Sequence, residues 1–117
     1  VVVGPGFLIG KPIATWLMGR VANLTVIDMG GFDEKALKAA DLIVTAAGVP
    51  GLIKGTHIKK NAVLIDYSYG TDTKGNISGD VEVASCIKKT KMITKTPGGT
   101  GPVVVAQLFV NFYHLAK

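Results

Sequence analysis

The chain has almost no cysteine: one, Cys86, among 117 residues. A lone thiol closes no internal disulfide, so the fold has to rest on its own core, and the expected compartment is a reducing one, the cytoplasm. Charge is scarce as well. Charged residues make up 18% and hydrophobic residues 48%, which excludes a disordered chain. Aromatics are only 7% and do not alternate with the lysines as a base-stacking surface requires, so nucleic acid is not an expected partner. No apolar run reaches the ~18 residues of a membrane span, and no membrane is expected either. His57 and His114 have no second His or Cys at ligand spacing, so no metal is expected, and Cys86 reads as a small buried apolar group. Signal peptide and initiating Met are both missing. The sequence starts inside the apolar run Val1-Val2-Val3, and the expectation is a piece of a longer protein.

What is plentiful is glycine, fifteen residues, nearly twice the ~7% average and without a three-residue period. Net charge is +5, carried by dispersed lysines that read as solvated faces with a weak bias toward anionic ligands. Apolar β-branched runs alternate with helical stretches. Strands are expected at Val1–Val3, Leu24–Ile27, Leu42–Thr45, Ala62–Ile65 and Met92–Thr94. Helices are expected at Lys11–Arg20, with Ile13, Trp16 and Leu17 on one face, and at Asp33–Ala40, Val81–Lys89 and Pro102–Ala116. In the last, Val105, Leu108, Phe109, Phe112 and Leu115 form an apolar stripe. Thr71–Ser78 reads as a turn. Strands without polar alternation are buried on both faces. The expected architecture is therefore a single α/β domain over residues 1–117: a doubly wound, mostly parallel sheet with helices on both faces.

The first strand runs straight into Gly4-Pro5-Gly6-Phe7-Leu8-Ile9-Gly10, glycines spaced G-x-G-x-x-x-G at a strand-to-helix junction. In a Rossmann-like site the first glycine permits the tight turn, the second lets backbone approach a pyrophosphate, and the third lets helix and strand pack closely. The helix N-terminus adds N–H groups and a positive dipole end. Asp28 follows at the end of the second strand, where such domains place an acid on the adenosine ribose hydroxyls. A carboxylate there repels a 2′-phosphate and selects NAD over NADP. The competing role for Asp28 is a cap on the turn Met29-Gly30-Gly31.

Together these segments resemble a family. Gly4 to Ala14 is similar to the G-R-S-x-x-V-G-x-P-x-A loop of the methylenetetrahydrofolate dehydrogenase/cyclohydrolases. Ala40-Asp41-Leu42-Ile43-Val44 with Ala47-Gly48-Val49-Pro50 resembles A-D-I-V-x-A-x-G-x-P. Ala62-Val63-Leu64-Ile65-Asp66 resembles A-V-V-I-D, Gly79-Asp80-Val81 resembles G-D-V, and Pro97-Gly98-Gly99-Thr100-Gly101-Pro102 resembles P-G-G-V-G-P. The resemblance covers essentially the whole chain and implies the nicotinamide-binding, C-terminal domain of a two-domain enzyme. The implied reaction is oxidation of 5,10-methylene- to 5,10-methenyltetrahydrofolate, with hydrolysis to the 10-formyl form in bifunctional members. It further implies a folate substrate held mainly by an N-terminal domain not present here, and a homodimer. That domain carries the family's Tyr-x-x-x-Lys, so no catalytic residue is assigned in this chain; Tyr113 and Lys117 match the spacing by chance at a helix end.

Pro5-Gly6 stands where the family has Arg-Ser, and Asp28-Met29 where it often has His-Ser, so two contacts to a 2′-phosphate are replaced. Tyr67-Ser68-Tyr69-Gly70 replaces V-G-I-N, which makes Tyr69 the equivalent position on the nicotinamide ribose side. The expected cofactor-binding residues are Gly4, Pro5, Gly6, Asp28, Met29, Gly48, Tyr69, Gly99 and Gly101, with NAD as the cofactor. A non-catalytic nucleotide-binding or assembly module of the same fold is the alternative.

Overall fold

The computed structural model describes residues 1–28 and 30–117. The expected placement of Met29 lies outside the described residues. The strands form where β-branched and leucine residues run together: β1 (Val2–Val3), β2 (Val26–Ile27), β3 (Leu42–Thr45) and β4 (Ala62–Asp66). Two two-residue strands follow, β5 (Gly70–Thr71) and β6 (Ile77–Ser78), then β7 (Thr90–Ile93). The helices are α1 (Gly10–Leu17), α2 (Glu34–Ala39), α3 (Val83–Cys86) and α4 (Thr100–Leu115), with a 3-10 turn at Gly55–His57. Among the described residues, five strands make one parallel sheet in the order β2-β1-β3-β4-β7. Its longest ladder sets Leu42 beside Val63, Ile43 beside Leu64, Val44 beside Ile65 and Thr45 beside Asp66.

Alternation along these strands builds two cores. Val3, Ile43 and Leu64 point toward one face with Leu37, Ile53, Ile58, Val81 and Cys86. Val2 and Val44 point to the other, against Ala14 and Leu17 of α1. Helices therefore cover both faces of a doubly wound sheet, as the apolar runs imply. Asp33 starts α2 by accepting the Ala36 N–H at 3.0 Å, an N-cap that aims Leu37, fully buried, into the core.

Four expectations are corrected. Trp16 is 62% exposed, because the face of α1 turned to the sheet is Gly10, Ala14 and Leu17; the Arg20 guanidinium instead stacks 4.8 Å from the Trp16 ring. Residues 71–78 hold more than a turn: β5 and β6 pair antiparallel, closed by Asp72 accepting the Lys74 and Asn76 N–H groups at 2.8 Å each. The expected helix over Val81–Lys89 shrinks to Val83–Cys86, because Val81 is drawn into a parallel bridge with Ile53. Helix α4 forms with its stripe, but none of its residues is buried. Val105, Leu108, Phe109 and Phe112 line an uncovered groove of about 390 Å³.

Candidate cofactor site

In a parallel sheet whose strand order reverses direction, the loops leaving the two strands at the reversal diverge and open a crevice at their carboxyl ends. Here the reversal lies between β1 and β3. The loops that leave there are Gly4–Ile9 and Ala46–Pro50, and they touch. Gly4 has φ +79°, and a Cβ on it would lie 2.7 Å from the Ala47 backbone. Only glycine fits both that conformation and that approach. A Cβ on Gly10 would collide with Pro5 Cα at 2.8 Å, so the start of α1 packs directly on the loop, whereas the space beside Gly6 is open. The loop consumes part of its own donor supply: the Gly6 N–H donates to Gly4 O at 2.8 Å and the Lys11 N–H to Gly6 O at 3.0 Å. Pro5 and Pro12 carry no N–H at all.

Between these loops and the end of β2 lies a mostly apolar pocket of about 190 Å³, lined among others by Gly4, Asp28, Phe32, Ala47, Val49 and Leu52. Asp28 is exposed at its rim. Its main-chain carbonyl accepts the Gly31 N–H at 3.0 Å. Phe32 packs edge-to-face on His57 with centroids 5.1 Å apart; neither residue is among those expected from sequence, and an aromatic just past a strand-end acid is the signal that would have found Phe32. Gly48, with φ +72°, is exposed between the pocket residues Ala47 and Val49.

The remaining expected residues lie further along the same edge, where β4 and β7 end. Asp66, 1% exposed, accepts the Ser68 N–H at 2.8 Å and the Val81 N–H at 2.9 Å. Burial pushes its carboxyl above the ordinary aspartate value; the Val81 and Ser68 N–H groups pull it back and nearby Asp80 raises it further. Three threonines tie the loop before α4 to this strand end. Thr94 Oγ1 accepts from Asp66 N at 2.8 Å, Thr96 Oγ1 donates to Ser68 O at 3.0 Å and Thr100 Oγ1 to Asp66 O at 2.9 Å. Gly99 is pinned, for its Cβ would sit 2.5 Å from Lys95 O, while Gly101 in the first turn of α4 faces open space. Tyr69 is 71% exposed on the adjoining loop. The structure thus brings Gly4, Asp28 and the flanks of Gly48 to one pocket. Tyr69 and Gly99 sit on neighbouring loops and Gly101 in the first turn of α4, outside that pocket.

A parallel sheet with glycine loops at its reversal point and an acid at the end of β2 defines a Rossmann-like, dinucleotide-binding domain. The family model for the tetrahydrofolate dehydrogenase/cyclohydrolase NAD(P)-binding domain matches residues 1–117. The chain belongs to that family, as its NAD(P)-binding domain. Similar curated proteins include bifunctional protein FolD of Magnetococcus marinus, 37% identical over all of this chain and 41% of its own length. That of Limosilactobacillus reuteri is 38% identical over 99% of this chain and 41% of its own length. Among solved structures, the Campylobacter jejuni FolD dehydrogenase/cyclohydrolase superposes with a TM-score of 0.88 at 32% identity, over 94% of this chain and 39% of that one. The Trypanosoma brucei FolD complexed with NADP and an inhibitor gives 0.86 at 36% identity, over 94% and 40%. The chain spans about two fifths of the length of the relatives it matches. No helix among the described residues is long and apolar enough to cross a membrane.

Proposed function

We propose that this chain is the cofactor-holding part of a methylenetetrahydrofolate dehydrogenase and that it takes NAD in preference to NADP. The observation that carries the reading is Asp28 at the rim of the pocket between the β1 and β3 loops. The residues fit such a cofactor: an apolar pocket of about 190 Å³ for the adenosine end, open space beside Gly6 for a pyrophosphate, and a helix start behind it. Asp28 would accept from the ribose hydroxyls, while Gly4, Pro5, Gly6 and Gly48 shape the path of the phosphates. The Met29 side chain, by sequence, is a thioether and brings no donor for a 2′-phosphate. Tyr69, Gly99 and Gly101 would flank the nicotinamide ribose side. Bound there, the nicotinamide would accept a hydride from the one-carbon unit of 5,10-methylenetetrahydrofolate, leaving the 5,10-methenyl form, which a bifunctional full-length protein would hydrolyse. The folate would be held mainly by residues outside this chain, so the chain alone is expected to bind cofactor without turning over folate. A homodimer and a cytoplasmic location complete the reading, the first by resemblance and the second from its single thiol, buried Cys86.

One observation favours the alternative of a non-catalytic nucleotide-binding module: Pro5 and the Lys11–Gly6 hydrogen bond leave the loop fewer N–H groups for phosphates. Calorimetric titration of the chain with NAD, NADP and ATP separates the two. Saturable binding of a nicotinamide dinucleotide, tighter than ATP, supports the dehydrogenase reading. Absence of binding to both NAD and NADP refutes it.

A further inference from the structure

The chain has eight acidic residues, and two of them, Asp66 and Asp80, are withdrawn from solvent to 1% and 0% exposure. Asp66 organises the end of β4. Asp80 lies on the segment that follows the β5–β6 hairpin, yet its side chain reaches across to the end of β3. Its Oδ2 accepts from Thr45 Oγ1 at 2.5 Å and from the Ala47 N–H at 2.7 Å, and its Oδ1 accepts the Val49 N–H at 2.7 Å. Both oxygens are used, and all three donors belong to the last residue of β3 or the loop it feeds. Charge-assisted bonds of this kind are about twice as strong as neutral ones.

The platform under Asp80 is itself fixed. Gly51 N–H donates to Gly79 O at 3.1 Å, Ile53 N–H to Asp80 O at 2.9 Å, and Glu82 N–H to Ile53 O at 2.9 Å. Val81 N–H donates to Asp66 Oδ2 at 2.9 Å. Gly79 has no room for a side chain, because a Cβ would run into Asp66 Oδ2. A rigid segment therefore presents one carboxylate to the middle of a loop whose ends are tied by the Ala46 N–H to Val3 O at 2.9 Å and the Leu52 N–H to Val49 O at 3.1 Å. That loop matters to the pocket: Ala47 and Val49 form one wall, and the Ala47 backbone is what Gly4 packs against.

The geometry points to Asp80 as a positioning residue for the adenosine half of the cofactor site, acting through Ala47 and Val49. The inference rests on the dinucleotide reading above. With the carboxylate gone, the Ala47 and Val49 N–H groups lose their acceptor, the loop leaves Gly4, and the ligand must reorder it on binding. The other half of the site keeps its shape, held by Asp66 and the three threonines. Asp80→Asn is the sharpest change, since whichever oxygen becomes an amide meets an N–H donor head-on.

The test compares the unmodified chain with Asp80→Asn and Thr45→Val, using AMP as the probe in calorimetry and amide hydrogen exchange as the structural readout. Asp80→Asn is expected to weaken AMP binding about ten-fold or more and to speed exchange at Ala47 and Val49, while Ser68 and Val81, held by Asp66, keep their protection. Thr45→Val removes one donor and is expected to give a smaller loss of the same kind, with faster exchange at Ala47; it carries the test if Asp80→Asn does not fold. Unchanged exchange at Ala47 and Val49 overturns the inference. So does equal loss of protection at Ser68 and Val81, which would mark general loosening. If the unmodified chain binds no AMP, NAD or NADP, the dinucleotide reading fails, and the exchange data still decide whether Asp80 holds the loop.

Discussion

Cofactor choice can be worked from one carboxylate. A 2′-phosphate brings a charge of about −1.5 to −2 near pH 7, and in the proposed pose it would approach Asp28 at the pocket rim. Two unit charges ~4 Å apart repel by about 1 kcal/mol in water and about 4 kcal/mol at an effective dielectric near 20. Asp28 is exposed on one side and borders an apolar pocket on the other, so the appropriate figure lies between those limits. A penalty of about 1–3 kcal/mol corresponds to roughly ten- to a hundred-fold weaker binding of NADP than of NAD. Lys11, at the start of α1, would offset part of this if its side chain reached the ribose. Because the repulsion acts partly through water, it should shrink as salt rises, the Debye length falling from about 10 Å at 0.1 M to about 3 Å at 1 M. The assay is calorimetry of the unmodified chain and of Asp28→Ser with each cofactor, at matched ionic strength and at two salt concentrations. Asp28→Ser is expected to narrow or reverse the preference, chiefly by tightening NADP. Equal or tighter binding of NADP by the unmodified chain would refute the assignment of Asp28.

Three further expectations test the remaining geometry. Gly4→Ala places a Cβ 2.7 Å from the Ala47 backbone at φ +79°, so urea unfolding should show a loss of about 1–3 kcal/mol; stability unchanged from the parent would mean the two loops do not touch. Gly101→Val enters open space whereas a side chain at Gly99 meets Lys95 O at 2.5 Å, so Gly101→Val should keep its melting temperature and weaken NAD binding, while Gly99→Val should lose stability first; intact affinity in folded Gly101→Val removes Gly101 from the site. Asp66 has its carboxyl raised by burial, so the folded state holds that proton more tightly than the unfolded chain does. Its contribution to stability therefore falls as pH rises from the ordinary aspartate value through the raised one. The stability difference between the parent and Asp66→Asn should decline over that interval in paired denaturation curves, and a difference that is flat or rising with pH contradicts the burial account.

What was legible in the sequence, and what was not, follows from how far apart the interacting atoms lie along the chain. Leu42–Thr45 and Ala62–Asp66 announce buried parallel strands because their neighbours on both faces are apolar, a property written into each run. Gly4 and Gly10 are legible for the same reason, since a tight turn and a close helix start need missing side chains at fixed local spacing. The failures are relational. Val81 looks helical by its neighbours, yet Ile53 and Asp66 claim it across 28 and 15 positions. The hairpin of β5 and β6 hides because each strand has two residues and the polar turn between them dominates the window. Asp80 is the sharpest case: its donors lie 31 to 35 positions away, so nothing beside it in sequence tells its burial from an exposed loop acid. A buried carboxylate with no cation among its donors persists only where several N–H and O–H groups converge on it, and that convergence is a product of the sheet order. Strand ends 45 and 66 become neighbours only once β3 and β4 pair. The segment carrying Asp80 can then close over both. Gly4 and Gly10, which shape the crevice by the side chains they lack, are thus revealed by local sequence, whereas Asp80, which holds the facing loop, is assigned only after the topology has brought distant donors to one acceptor.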